Sequence, residues 1–319
     1  MTAYDVFNGD ADGICALLQL RLAQPRKAEL VTGVKRDIAL LGRVPAGAGD
    51  RVTVLDVSMD TNGEALRRVL AAGAEVVWFD HHHPGEIPAH PGLDATVDTA
   101  AETCTSLLVD AALEGRYRAW AVTAAFGDNL ATSARRAAEP LCLGEDDLAR
   151  LERFGICINY NGYGAALEDL HFHPAELYRS LLPYASPFDA LEDPASPFPA
   201  LDAGYREDMA RAEAAELLLE TPAAAALRLP DAPWARRVSG VYGNDLANAH
   251  PARAHAVVTP GEAGTWRVSV RAPLDRRSGA DALARRWPTG GGRAAAAGIN
   301  ALPAGDLDLF LDDFAAHWA

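Results

Sequence analysis

The chain has 319 residues, a hydrophobic share of 49% and a formal net charge of −15. This length suggests about two domains, and the hydrophobic content is ordinary for a globular protein with buried cores. No apolar stretch approaches the roughly 20 residues that cross a bilayer, and the N-terminus lacks the pattern of a signal peptide. An acidic surface argues against long duplex DNA, which proteins hold through basic stripes. We therefore expect a cytoplasmic protein with neither a membrane nor long duplex DNA as a partner.

The first 130 residues alternate short apolar runs with helical stretches. The runs that predict strands are Tyr4–Asn8, Glu29–Val34, Val52–Val57 and Glu75–Asp80. The stretches that predict helices are Gly13–Ala23, Asn62–Ala72, Cys104–Leu113, Tyr117–Phe126 and Glu145–Phe154. This rhythm predicts an α/β fold with a mostly parallel, doubly wound sheet that is covered by helices on both faces.

A proline-rich stretch predicts the domain boundary. Five prolines crowd between positions 183 and 199, and proline at this density favours an extended linker. We predict a first domain over 1–185, a linker and connecting helix over 186–230, and a smaller α/β domain over 231–319. The connecting helix is predicted over Tyr205–Glu220. In the smaller domain, Val238–Tyr242, Ala254–Thr259 and Thr265–Ala272 are predicted strands and Gly279–Trp287 is a predicted helix.

Acidic and histidine residues follow several of the apolar runs. They are Asp10 and Asp12, Asp56, the segment Asp80-His81-His82, and Asp128 after Ala125-Phe126-Gly127. The carboxyl ends of parallel strands meet at one edge of a sheet, so these side chains are expected to converge on a metal cluster. Oxygen-rich sites with one or two imidazoles suit Mn²⁺, with Mg²⁺ or Fe²⁺ as alternatives, better than zinc. Several carboxylates that can bridge predict two ions, which together clamp a phosphoryl group.

These motifs, in this order and spacing, resemble those of the DHH phosphoesterase superfamily. That superfamily includes RecJ-type exonucleases, nanoRNases, cyclic-dinucleotide phosphodiesterases and family II pyrophosphatases. The segments Val268-Ser269-Val270-Arg271 and Gly290-Gly291-Gly292-Arg293, the latter followed by Ala294–Gly298, look like the DHHA1 domain that accompanies it. The resemblance covers most of the chain except about 140–230.

The resemblance implies a role for each of these residues. Asp10 and Asp56, with the neutral oxygen of Asn8, would hold one Mn²⁺. The second ion would be held by Asp12, Asp56, His81 and Asp128, with Asp56 bridging. His82 would face the scissile phosphate, and Asp80 would orient the imidazoles. The smaller domain, which the linker would allow to close over the site, would bind the phosphate or terminal nucleotide through Ser269, Arg271, Gly290, Gly291, Gly292 and Arg293.

We expect a two-metal phosphoesterase that acts on short oligonucleotides, dinucleotides or phosphorylated nucleotides. A pyrophosphatase or exopolyphosphatase is one alternative. A catalytically weak nucleotide-binding protein is another, because Asn8 and Arg293 stand where relatives commonly carry other residues. The segment Asn159–Gly164 either offers a stacking surface for a base or forms a turn between two helices. Whether the chain forms a homodimer is open at this stage.

Overall fold

A computed structural model describes residues 1–319, and the chain divides into two units, Met1–Ala203 and Gly204–Ala319. The division lies inside the segment 186–230 that was expected to link the domains. None of the helices combines the length and the apolar character that a bilayer-spanning segment requires.

The first unit is built on a five-stranded sheet in which all strands are parallel. Its strands are β1 (Ala3–Phe7), β2 (Glu29–Val31), β3 (Arg51–Leu55), β4 (Glu75–Asp80) and β5 (Leu93–Val97), in the order β2-β1-β3-β4-β5. Each of β1, β3 and β4 ends in residues that are almost completely buried, as strands covered on both faces require. The predicted α/β class and parallel sheet are therefore confirmed.

Helices cover both faces of this sheet. They are α1 (Ala11–Ala23), α2 (Gly63–Ala71), α3 (Thr105–Ala112), α4 (Arg118–Gly127), α5 (Ala131–Ala138), α6 (Glu145–Asn161), α7 (Pro174–Leu181) and α8 (Pro187–Glu192), and α9 (Phe198–Ala212) runs across the division. One face packs an apolar core that includes Val54, Trp78 and Leu66 of α2. On the other face, Arg21 of α1 donates to the buried carboxylate of Asp5 at 2.8 Å.

The second unit contains a six-stranded mixed sheet. Its elements are β6 (Glu216–Glu220), β7 (Ala224–Arg228), α10 (Pro233–Ala249), β8 (Ala254–Pro260), β9 (Thr265–Arg271), α11 (Ala280–Ala284), β10 (Gly290–Gly292), β11 (Ala296–Pro303) and α12 (Leu307–Trp318). The order is β10-β11-β9-β8-β7-β6, and only β7 and β8 pair in parallel. Phe310 and Phe314 of α12 are completely buried in its core.

Three sequence predictions differ from this architecture. The predicted strand Val238–Tyr242 lies inside α10, because its apolar residues Val238, Val241 and Tyr242 follow the i, i+3, i+4 spacing of a helix face. The predicted helix Tyr205–Glu220 ends at Ala212 and gives way to β6. The proline-rich stretch is not an extended linker, because Pro187 stands in the first turn of α8 behind the capping residue Ser186, where a missing N–H does no harm.

Candidate metal centre

Four of the predicted site residues lie in the loops that follow β1, β3 and β4. Asn8 follows β1, Asp10 caps the N-terminus of α1, Asp56 follows β3, and His81 follows Asp80, the last residue of β4. All four are buried. Since all five strands run in the same direction, these loops lie at one edge of the sheet. The arrangement predicted from the order of the motifs is therefore present in the fold.

Asp12 is fixed by the start of α3. One of its carboxylate oxygens, Oδ2, accepts the backbone N–H of Thr105 at 2.7 Å, and the other, Oδ1, accepts that of Ser106 at 2.7 Å. Backbone donors of this kind stabilise the ionised form of a carboxylate and hold it in one orientation. Thr105 and Ser106 are thus positioning residues that the sequence indicated only as the start of a helix.

Asp56 stands in a backbone conformation that is uncommon for residues other than glycine, with φ of 57°. This conformation places its Oδ1 3.3 Å from Nε2 of His81 and 3.9 Å from Nδ1 of His82. The same oxygen accepts the hydroxyl of Thr105 at 3.3 Å. Asp56 therefore lies between the two histidines and the start of α3.

His81 presents a defined nitrogen to the acidic residues. Its Nδ1 lies 2.9 Å from the carbonyl oxygen of Thr103, and a carbonyl can only accept, so Nδ1 carries the hydrogen. The other nitrogen, Nε2, lies 3.8 Å from Oδ2 of Asp12 and 3.9 Å from Oδ2 of Asp128. When the ring is neutral, its lone pair is therefore on the nitrogen that faces the acids, as in a metal-binding histidine.

His82 is oriented by Asp80. The buried Oδ1 of Asp80 lies 2.7 Å from Nδ1 of His82 and also accepts the backbone N–H of His81 at 2.8 Å. The side chain of His82 is 32% exposed, whereas that of His81 is 2% exposed. His82 is therefore the imidazole of this pair that a substrate can reach.

Asp128 reaches the same place from a helix. The sequence predicts a helix over Tyr117–Phe126, and the structure places Asp128 at the C-terminal cap of that helix, α4. This helix packs closely on α6: a methyl group built on Gly155 of α6 would come 2.0 Å from the carbonyl oxygen of Thr123. The close approach depends on glycine having no side chain at that point.

Lys35 is a site residue that the sequence motifs did not indicate. Its ammonium nitrogen lies 2.5 Å from Oδ2 of Asp10, 3.3 Å from Oδ1 of Asp128 and 3.1 Å from Oδ1 of Asn159. The backbone of Lys35 is also held, because its carbonyl oxygen accepts from Nδ2 of Asn8 at 3.2 Å. Asn8 and Asp10, which the resemblance assigns to one ion, are both bonded to this lysine.

Two overlapping groups of side chains have the composition of a divalent metal site. Asp12, His81 and Asp128 form one, and Asp56, His81 and His82 form the other; within each group the donor atoms lie within 4.8 Å of one another. Oxygen donors with one or two imidazoles match the ligand preference of Mn²⁺ and similar ions. These residues therefore fit the ion that the sequence predicts, whereas Asn8 and Asp10 belong to neither group.

The electrostatics of the cluster favour a cation. Burial raises the pKa of Asp12, and the carboxylates of Asp128 and Asp10 raise it further against the opposing effect of His81. Burial also raises the pKa of Asp56 well above its usual range, as do Asp10 and Asp12. Carboxylates crowded in a buried place repel one another, and a divalent ion among them would remove that repulsion.

The substrate-binding residues predicted from the second resemblance all lie in the second unit. Arg271 is buried and donates to oxygens of Asn244, Ser269, Val270 and Gly240 at 2.5–3.1 Å. Its guanidinium therefore joins β9 to α10. Gly290, Gly291 and Gly292 form β10 and pair with β11, and Arg293 begins the turn between these strands. Their role in substrate binding stays a prediction.

The fold has matches among solved structures. A RecJ from Thermus thermophilus in complex with Mn²⁺ aligns with 99% of the chain at a TM-score of 0.62 and 20% identity. The chain shares the fold of RecJ. It spans about half of that protein, 52% of its length. A manganese-bound exonuclease RecJ aligns at a TM-score of 0.56 and 21% identity over 99% of this chain and 90% of its own.

A third match covers nearly the whole of both chains. A pGpG-specific phosphodiesterase, PggH from Vibrio cholerae, aligns over 99% of each chain at a TM-score of 0.52 and 15% identity. No family model and no curated protein sequence matches the chain. The fold implied by the resemblance to the DHH superfamily is thus confirmed.

Proposed function

We propose that this chain is a divalent-metal-dependent phosphoesterase. The observation that carries the proposal is the convergence of two overlapping groups, Asp12 with His81 and Asp128, and Asp56 with His81 and His82, each with donor atoms within 4.8 Å of one another, in a parallel sheet with the RecJ fold. Mn²⁺ is the ion we propose, because the RecJ structures with this fold carry manganese. When bound, such an ion polarises a phosphoryl oxygen and makes water a better nucleophile.

The residues of the chain supply positioning and proton transfer. Asp80 holds Nδ1 of His82 at 2.7 Å, which turns the other ring nitrogen away from the buried carboxylate. In its protonated form, His82 carries a hydrogen on this second nitrogen as well, and can then donate a hydrogen bond or that proton to an oxygen of the phosphate, as the family resemblance implies. Thr105 and Ser106 keep Asp12 in place during this step through their backbone N–H groups.

The family resemblance implies two ions, with Asp56 between them. Asp12, His81 and Asp128 would hold one of them. For the other, Asp10 would have to exchange its bond to Lys35 for a bond to the ion. Asn8 could contribute its Oδ1, a buried oxygen with no hydrogen-bond partner in the structure.

We propose short substrates: oligonucleotides of a few residues, dinucleotides or phosphorylated nucleotides. The net charge of −15 disfavours long duplex DNA, and the solved structures with this fold include an exonuclease and a pGpG-specific phosphodiesterase. Ser269, Arg271, Gly290–Gly292 and Arg293 are proposed to bind the phosphate or terminal nucleotide. The cytoplasmic location and the state of assembly stay predictions.

A screen with product identification tests the proposal. The purified chain with Mn²⁺ is incubated with di- to pentanucleotides, cyclic dinucleotides, 3′-phosphoadenosine phosphate and polyphosphate, and the products are identified by mass spectrometry. We expect nucleotide products from a short substrate. Release of orthophosphate from polyphosphate, with no nucleotide product from any other substrate, would identify the pyrophosphatase or exopolyphosphatase alternative. Tight nucleotide binding without turnover would identify a binding protein and overturn the proposal.

Asp128→Asn is the matching variant. It replaces a proposed ligand by a weaker one of the same shape, so we expect hydrolysis to fall by at least about 100-fold while the melting temperature stays near that of the wild type. Asp94→Asn, which changes an exposed aspartate of β5 in the same unit, is the control and should hydrolyse normally. Equal activity of all three proteins would remove Asp128 from the reaction.

A further inference from the structure

The ammonium group of Lys35 occupies a position among the acidic side chains that a metal ion could take. Three oxygens surround it, Oδ2 of Asp10, Oδ1 of Asp128 and Oδ1 of Asn159, at 2.5–3.3 Å. An ammonium has three hydrogens to donate, so these oxygens match its full capacity. Two of them belong to carboxylates that the family resemblance assigns to metal ions.

The chain holds this lysine from several directions. The backbone N–H of Lys35 donates to the carbonyl oxygen of Gly162 at 2.7 Å, and Nδ2 of Asn8 donates to its carbonyl oxygen at 3.2 Å. The ammonium also lies 5.2 Å from the ring centre of Tyr163, a cation–π contact. The segment Asn159–Gly164, which the sequence suggested as a base-stacking surface or a turn, thus supplies three partners of Lys35.

Asp10 has its oxygens engaged within the chain. Oδ1 caps α1 by accepting the backbone N–H groups of Asp12 and Gly13 at 3.1 Å, and Oδ2 accepts from Lys35. Asp10 is absent from both groups of side chains that could hold a metal, and both groups share His81. The resemblance assigns Oδ1 of Asn8 to the same ion as Asp10, and this amide oxygen carries no charge and is a weak ligand by itself.

We propose that the ammonium of Lys35 takes the place of one of the two divalent ions, so that the centre binds a single ion at Asp12, His81 and Asp128, with Asp56 beside it. This inference rests on the proposed metal-dependent function, but its test counts bound ions and does not measure hydrolysis. Lys35 supplies positive charge between Asp10 and Asp128 and can attract a phosphate, whereas a lysine cannot polarise water as a metal does.

Counting bound Mn²⁺ tests the inference. Metal-free protein is titrated with MnCl₂ by calorimetry, and the bound ions are examined by electron paramagnetic resonance, which separates an isolated Mn²⁺ from a coupled pair. For the wild type we expect one tightly bound ion per chain and the signal of an isolated ion. Two tightly bound ions with a coupled signal in the wild type would overturn the inference without any variant being made.

Lys35→Met removes the charge and keeps the length of the side chain. Because Asp10 and Asn159 then lose their cation, we expect this variant to bind two ions per chain and to show the coupled signal. Lys27→Met changes the other lysine of the chain, which is exposed, and should bind one ion like the wild type. A folded Lys35→Met protein that still binds one ion would also contradict the inference.

Asp10→Asn covers the case in which Lys35→Met fails to fold. Asparagine is as good a helix cap as aspartate, and Asp10 is not a ligand of the single ion. We therefore expect this variant to keep one ion with an affinity within about tenfold of the wild type, and loss of a tightly bound ion would contradict the inference. If the wild type binds two ions and hydrolyses a phosphoester, the inference is refuted and the proposed function stands. If it binds one ion and hydrolyses no phosphoester, the proposed function is refuted and the inference stands.

Discussion

The imidazole of His82 and the carboxylate of Asp80 form a hydrogen bond of 2.7 Å in which the carboxylate is completely buried and the imidazole is partly exposed. The second oxygen of Asp80, Oδ2, has no hydrogen-bond partner in the structure. A buried carboxylate oxygen without a hydrogen-bond partner costs free energy, so we expect the residue to have a functional role toward its neighbour His82. Asp80 Oδ1 is therefore placed to orient His82, and we propose that this, rather than binding of the ion, is its role.

The first prediction concerns Asp80→Asn. Asparagine can still accept from the backbone of His81, but it no longer provides the negative charge that stabilises a protonated His82. We expect kcat to fall by about 10- to 100-fold with little change in KM or in the affinity for Mn²⁺. Steady-state kinetics as a function of pH check this, because loss of a positioned acid shifts the pH profile whereas loss of a purely structural residue does not. His83→Gln, an exposed neighbour, is the control.

Asp56 supports a prediction with opposite effects on stability and metal binding. Burial and the carboxylates of Asp10 and Asp12 destabilise its charged form, so Asp56→Asn should raise the metal-free free energy of unfolding by about 1 kcal/mol. The same variant loses a ligand and should gain less thermal stability from added Mn²⁺ than the wild type. Melting curves with and without MnCl₂ measure both effects.

Asp56→Ala separates the backbone from the charge. Asparagine tolerates the left-handed conformation of position 56, with φ of 57°, better than alanine does. The alanine variant should therefore be less stable than the asparagine variant, although both lack the carboxylate. Equal metal-free stability of all three proteins would show that repulsion among these acids does not limit the fold.

The predicted carboxylates could be placed from sequence because Asp10, Asp12, Asp56 and Asp80 each follow a largely apolar run. Such a run predicts a buried strand, and strands of a parallel sheet end at one edge. Lys35 could not be placed in this way. It is a single lysine outside any motif, and two of its partners, Asp128 and Asn159, are 93 and 124 residues away along the chain.

The second unit was harder to predict for a different reason. Its helix α10 contains Val238–Tyr242, and a segment of five residues is too short for the spacing of its apolar residues to separate a helix from a strand. The strands β8 and β9 are seven residues each and largely buried, and both were predicted close to their observed bounds. In β9 the apolar residues Trp266, Val268 and Val270 alternate with polar ones, which is the period of a strand and made this element predictable.

Arg271 supports a prediction about the second unit. Its guanidinium donates to oxygens of Asn244, Ser269, Val270 and Gly240, and lysine has too few donors in the wrong geometry to satisfy them. We expect Arg271→Lys to lower the free energy of unfolding by about 2–3 kcal/mol, measured by urea denaturation. Arg285→Lys, an exposed arginine of the same unit, should change it by less than about 0.5 kcal/mol. A rise in KM of the Arg271→Lys protein would support the proposed role of Arg271 in substrate binding, and unchanged stability would contradict its structural role.

His255 of β8 makes the stability of the second unit depend on pH. Burial, then the charges of His250 and Arg253, lower its pKa from 6.5 to about 4, so the unfolded chain takes up a proton before the folded one does. This contribution to stability is complete above about pH 6.5 and is lost as the pH falls toward 4. Between pH 7 and pH 5 we expect a loss on the order of 1 kcal/mol, which His255→Gln should abolish. Titration of the histidine resonances by nuclear magnetic resonance checks the cause directly, and a pKa near 6.5 for His255 would refute it.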